Sequence, residues 1–151
     1  MLVARSVTMV VASLALAGLA GCATRGNLTN ATENLEDSAN ALVRDARHEI
    51  ARNADDEDAR TAYASDYARD ARALANSAHE LRLAVEDRAS DSEVRAAFDR
   101  VRRSYHAVRD EVAHSDSRVA QRDFAPVTDS YRAVEHELGI YPARDEYVPP
   151  A

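Results

Sequence analysis

Five histidines, at positions 48, 79, 106, 114 and 136, are the first residues to weigh for chemistry. Imidazole is the commonest metal ligand and titrates near neutrality, so histidines spread along helical segments suggest a metal or haem site in a bundle core. Helical phase argues against it. At about 100° per residue, His106 falls about 120° and His114 about 160° from the centre of their segment's apolar stripe. His48 and His136 each lie two positions past a core residue, and His79 only flanks one. Glu111 and His114 stand in E-x-x-H register, and Asp45 with His48 in D-x-x-H. Two such ligands hold a metal only when both point inward and further carboxylates face them, and here neither projects along the stripe. No metal ligand is therefore assigned. Covalent haem needs C-x-x-C-H, yet there is one cysteine, and Met1 and Met9 both fall in the N-terminal segment. The sequence contains no nucleophile elbow, glycine-rich phosphate loop or H-E-x-x-H, so no cofactor and no catalysis are expected.

The positive feature is a ridge of arginines. Arg95, Arg102 and Arg109 recur every seven residues, about 80° from the stripe centre, where a side chain reaches a neighbouring helix. Residues 95–109 hold five arginines and one acid, Asp99, in an otherwise acidic chain. One use is interhelical pairing with Glu80, Glu86 or Asp87, each exposed pair contributing ~0–1 kcal/mol. The other is an anion- or partner-binding strip, because guanidinium forks match carboxylate and phosphate oxygens.

The N-terminus reads as a targeting segment. Arg5 supplies a positive charge, and an apolar stretch follows that is too short to span a bilayer as a mature helix. It closes on Leu19-Ala20-Gly21-Cys22. This stretch resembles the lipobox of bacterial lipoprotein precursors: Leu, a small residue, Gly or Ala, then Cys. The resemblance implies cleavage after Gly21, diacylation of the Cys22 sulfur, and acylation of the new amino group by a fatty acid such as palmitate. In that family an Asp after the cysteine commonly retains the product in the inner membrane. Ala23 stands there, which implies the outer membrane of a Gram-negative bacterium, facing the periplasm. Each buried methylene contributes about 0.8 kcal/mol, so two or more chains anchor firmly. Cys22 is the sole cysteine, so the domain must be held by packing without an internal disulfide. Residues 22–151 carry 18 arginines against 26 acids, a net charge of −8 that disfavours nucleic acid. Lysine is absent, which removes the peptidoglycan linkage used by major-lipoprotein types.

The elements that would position these residues are helices. Leu35, Ala39, Leu42, Ala46 and Ile50 follow the spacing of one helical face. So do Ala64, Tyr67, Ala71, Leu74, Ala78, Leu81 and Val85. A third stripe is Val94, Phe98, Val101, Tyr105, Val108 and Val112. A fourth is Ala120, Phe124, Val127, Tyr131, Val134 and Leu138. Asn30 with Glu33 and Ser90 with Glu93 have capping-box spacing. Pro126 predicts a kink or a late start in the fourth helix. The expectation is an all-α, up-down-up-down four-helix bundle with coiled-coil-like packing; the alternative is a long helical hairpin that dimerises. The division is 1–21 signal peptide, 22–29 lipidated Cys and tether, 30–139 bundle and 140–151 tail.

Residues 98–112 and 124–138 repeat each other at an offset of 26, sharing Phe, Val, Ser, Tyr, Ala, Val and Glu. Four of these identities are stripe positions, so the repeat is a packing recipe. The arginine ridge is not repeated: Gln121, Thr128 and Glu135 stand opposite Arg95, Arg102 and Arg109. The function expected is a non-catalytic structural or interaction module of the cell envelope, with a protein partner or self-association. The alternative is a small-ligand, haem or metal-binding bundle.

Overall fold

Alternating small and large apolar residues decide how closely these helices pack. In the computed structural model, α1 spans Leu16–Asn53, α2 Ala59–Glu86, α3 Asp91–His114 and α4 Arg118–Glu137. Residues 16–53, 59–115 and 117–140 are described, with side chains over 25–48, 65–115 and 117–140. The fold is an all-α four-helix bundle. Each helix packs against two others, α1 against α2 and α4, and α3 against α2 and α4, while the diagonal pairs do not approach.

The α1 and α2 backbones lie closest, because Ala39 and Ala46 face a helix that buries Ala68, Ala71, Ala75 and Ala78. The α3 and α4 backbones stand furthest apart of the adjacent pairs, held off by aromatic rings. Every described stripe residue of the first three helices is buried, as are those of α4 up to Val134, while Leu138 is half-buried at the end. Leu35, Leu42, Leu74, Leu81, Phe98, Val101, Val108, Val127 and Val134 are completely enclosed. Ile50 and Ala64 lie outside the residues whose side chains are described, and residues 141–151 lie outside the described chain.

Two polar residues join the core, Thr32 and Ser77. Each hydroxyl donates to a carbonyl one turn back: Thr32 to Thr29 at 2.8 Å, and Ser77 to Leu74 at 2.9 Å. That bond removes the cost of burying an unsatisfied hydroxyl, about 1–3 kcal/mol. Asn30 and Glu33 do not start a helix. α1 is already running by Leu16, so Asn30 sits within it.

At α3 the capping box is present as read. The Glu93 amide donates to Ser90 Oγ at 3.4 Å, and the Ser90 amide donates to Glu93 Oε2 at 2.8 Å. Hydrogen bonds from Ser90, side chain first and then backbone, hold the Glu93 carboxyl below its ordinary pKa. α4 starts at a Ser117 cap, whose Oγ accepts from the Ala120 amide at 3.2 Å. It runs through Pro126 without ending, and Phe124 and Val127 on either side are both buried. Core packing holds the helix where a backbone bond is missing.

Candidate interaction surface

The seam between α3 and α4 is built from the sequence repeat. Phe98 stacks on Tyr131 with ring centroids 5.5 Å apart and planes at 21°. Phe124 stacks on Tyr105 at 5.3 Å and 26°. These are the same contact made twice, because residue 98 corresponds to 124 and 105 to 131. Between them Tyr105 and Tyr131 stack at 4.0 Å and 3°. The two helices are thus related by a pseudo-two-fold axis through that tyrosine pair. Each offset stack is worth ~0.5–1.5 kcal/mol beyond the area it buries.

Symmetry ends at the hydroxyls. Tyr105 Oη donates to Thr128 Oγ1 at 3.2 Å. Thr128 corresponds to Arg102, and Tyr131 accordingly feels the charge of Arg102 together with a hydrogen bond to Glu135. Glu135 in turn corresponds to Arg109. Burial, reinforced by the Glu135 carboxylate, pushes the Tyr131 phenol far above its usual range. The arginine ridge therefore borders the α3–α4 seam. Arg95 extends this side to the end of the bundle, where it lies beside Glu137 and Leu138 of α4.

Two of the three acids expected as ridge partners, Glu80 and Glu86, are occupied by other arginines, and among the described residues no ion pair involves Asp87. Glu80 accepts from Arg100 Nε at 3.0 Å, and Glu86 pairs with Arg82 of its own helix. Arg102 pairs with Asp99 on α3 at 3.1 Å, and Arg109 contacts Asp110 at 3.3 Å. The Arg102 and Arg109 side chains keep 50 % and 43 % of their surface exposed. Such exposed pairs contribute little, ~0–1 kcal/mol each. Arg95 is exposed, and among the described residues no ion pair involves it.

The histidines sit at the periphery. His48, His79, His114 and His136 are exposed, and half-buried His106 packs edge-on against Tyr105 at 5.6 Å. His114 Nδ1 lies 2.6 Å from the Asp110 carbonyl oxygen. No cluster of three or more His, Cys, Asp or Glu suited to a metal occurs among the described residues. The Glu111–His114 pair does not turn into the core: Glu111 is half-buried and His114 exposed.

One polar cluster was not visible in the sequence. Glu36 of α1 receives Arg82 of α2 and lies 3.0 Å from His79 Nδ1. Partial burial opposes the Glu36 charge, but hydrogen bonds and charge from Arg82 and His79 outweigh it and hold the carboxyl below its ordinary pKa. These partners stand more than forty residues apart, beyond any local spacing rule.

Among the described residues, no helix is long and apolar enough to cross a membrane. No protein-family model, curated protein or solved structure matches the chain.

Proposed function

We propose that the chain is a lipid-anchored periplasmic lipoprotein of the outer membrane, with a bundle that acts as a non-catalytic interaction module of the cell envelope. The anchor reading rests on Leu19-Ala20-Gly21-Cys22 placed directly after an apolar stretch, with Cys22 as the lipidated residue. The observation that carries the interaction reading is the ridge itself. Arg95, Arg102 and Arg109 lie on one side of α3, bordering a seam packed by aromatic stacking, with the Arg102 and Arg109 side chains 50 % and 43 % exposed. Guanidinium groups exposed along one ridge favour a partner rich in carboxylates.

A photo-crosslinking amino acid at position 106, one turn from Arg102, tests this in cells. A discrete crosslinked protein, identified by mass spectrometry and lost in an Arg102→Glu/Arg109→Glu variant of unchanged helicity, is the expected result. Crosslinking that survives the charge reversal would refute recognition by the ridge. Loss of helicity in the same variant would make these arginines structural.

A further inference from the structure

At the end of the bundle where α4 finishes and the α2–α3 turn lies, the helices do not close over the core. A cavity of about 450 Å³ opens there. That volume lies within the roughly 300–1,000 Å³ of small-molecule sites. Its floor is apolar, with Val85 and Val94 each 8 % exposed and Leu28 and Leu138 packed partly against the core. All four helices line it.

The rim carries both signs of charge. Arg25 comes from α1, Asp91 and Arg95 from the first turns of α3, and Glu137 from the end of α4. Among the described residues no ion pair joins Arg25, Arg95 or Asp91 to another group, and Glu137 has only His136 at 3.4 Å. Two cations and two carboxylates surround one mouth without neutralising each other. A simple anion would meet the carboxylates there, and a simple cation the arginines. A polar zwitterion would leave the apolar floor unused.

We infer that this cavity binds a single-chain zwitterionic phospholipid of the phosphoethanolamine class. The acyl chain lies on Leu28, Val85, Val94 and Leu138. Arg25 and Arg95 hold the phosphate through forked hydrogen bonds, and Asp91 and Glu137 receive the ammonium. The inference does not require Cys22 to be lipidated, so it stands or falls apart from the anchor.

The test is calorimetric titration of the full chain with a short-chain lysophosphatidylethanolamine kept below its micellar concentration. Saturable one-to-one binding is expected. It should weaken at least about tenfold in Arg25→Gln/Arg95→Gln and also in Asp91→Asn/Glu137→Gln. Arg25, Asp91 and Arg95 are exposed and Glu137 is half-buried, and circular dichroism checks that each variant keeps its helicity. If one variant unfolds, the other decides. Glycerophosphoethanolamine, which has no chain, and decanoate, which has no ammonium, should both bind much more weakly. Equal binding of either control would overturn the proposal, as would wild-type affinity in a folded variant or heats that never saturate.

Discussion

Arg88 and Gly139 occupy the same backbone position at two helix ends, and glycine alone is suited to it. After α2, the Ala89 amide donates to the Ala84 carbonyl at 3.0 Å and the Arg88 amide to Val85 at 3.2 Å. After α4, Ile140 donates to Glu135 at 2.9 Å and Gly139 to His136 at 3.0 Å. Both are Schellman motifs, which place one residue in the left-handed region. Arg88 sits there at φ 56° and Gly139 at φ 65°. A side chain in that region costs about 1–2 kcal/mol, partly offset by the greater unfolded freedom of glycine. Arg88→Gly should therefore raise stability by about 0.5–1 kcal/mol in denaturant unfolding, and Gly139→Ala should lower it by about 1 kcal/mol. Charge states add pH dependence at both extremes. The Glu36 carboxyl is lowered from 4.5, so its contribution is complete above that value and is lost as pH falls through the folded-state pKa. Glu36→Gln should flatten the acid limb of a stability–pH curve. The Tyr131 phenol is raised from 10.0, so its contribution is complete below pH 10 and is lost as pH rises further. In an absorbance titration this tyrosine should ionise only with alkaline unfolding, and a normal titration in folded protein would contradict its burial.

At the scale of elements, the helices most legible in the sequence were those with uninterrupted 3-4 stripes of large residues. α3 and α4 are such helices, and Ser90 with Glu93 marked the start of α3 because both capping groups were present and no helix preceded them. The same spacing misled at Asn30 and Glu33. There a helix already ran upstream, and Thr29 donates back to the Arg25 carbonyl at 3.0 Å instead of ending it. Thr32 and Ser77 were missed as core because their hydroxyls are satisfied within their own turns, which a polarity pattern does not register. The pseudo-two-fold seam was readable as a repeat, but its ring contacts needed the antiparallel pairing of the helices. Removing Ser90 Oγ with Ser90→Ala should cost about 1 kcal/mol. Tyr105→Ala opens the centre of the stack and should cost about 3–5 kcal/mol, as large-to-small changes of buried aromatics do. Tyr105→Phe keeps the ring and loses only the bond to Thr128, about 1 kcal/mol. Chemical unfolding monitored by circular dichroism orders the three variants, and Tyr105→Ala should lie lowest.

For the whole molecule, the sequence led to the bundle because each helix has a single apolar face and the chain has no disulfide to substitute for packing. The candidate surface was only half legible. Periodicity placed the arginines on one ridge, but Glu80 and Glu86, two of the acids first matched with them, belong to Arg100 and Arg82, because the ridge borders α4 and these acids lie on α2. The anchored interaction module proposed here joins that bundle to a membrane at Cys22, and the acyl chains have to supply the attachment because the domain is acidic. The most direct test is the intact mass of the protein isolated from cell membranes, measured beside a Cys22→Ser variant. The expected result is a chain that begins at Cys22 and carries added acyl mass, with that mass and the membrane association both absent from Cys22→Ser. A wild-type chain that retains residues 1–21, or one that begins elsewhere with a free thiol, would contradict it.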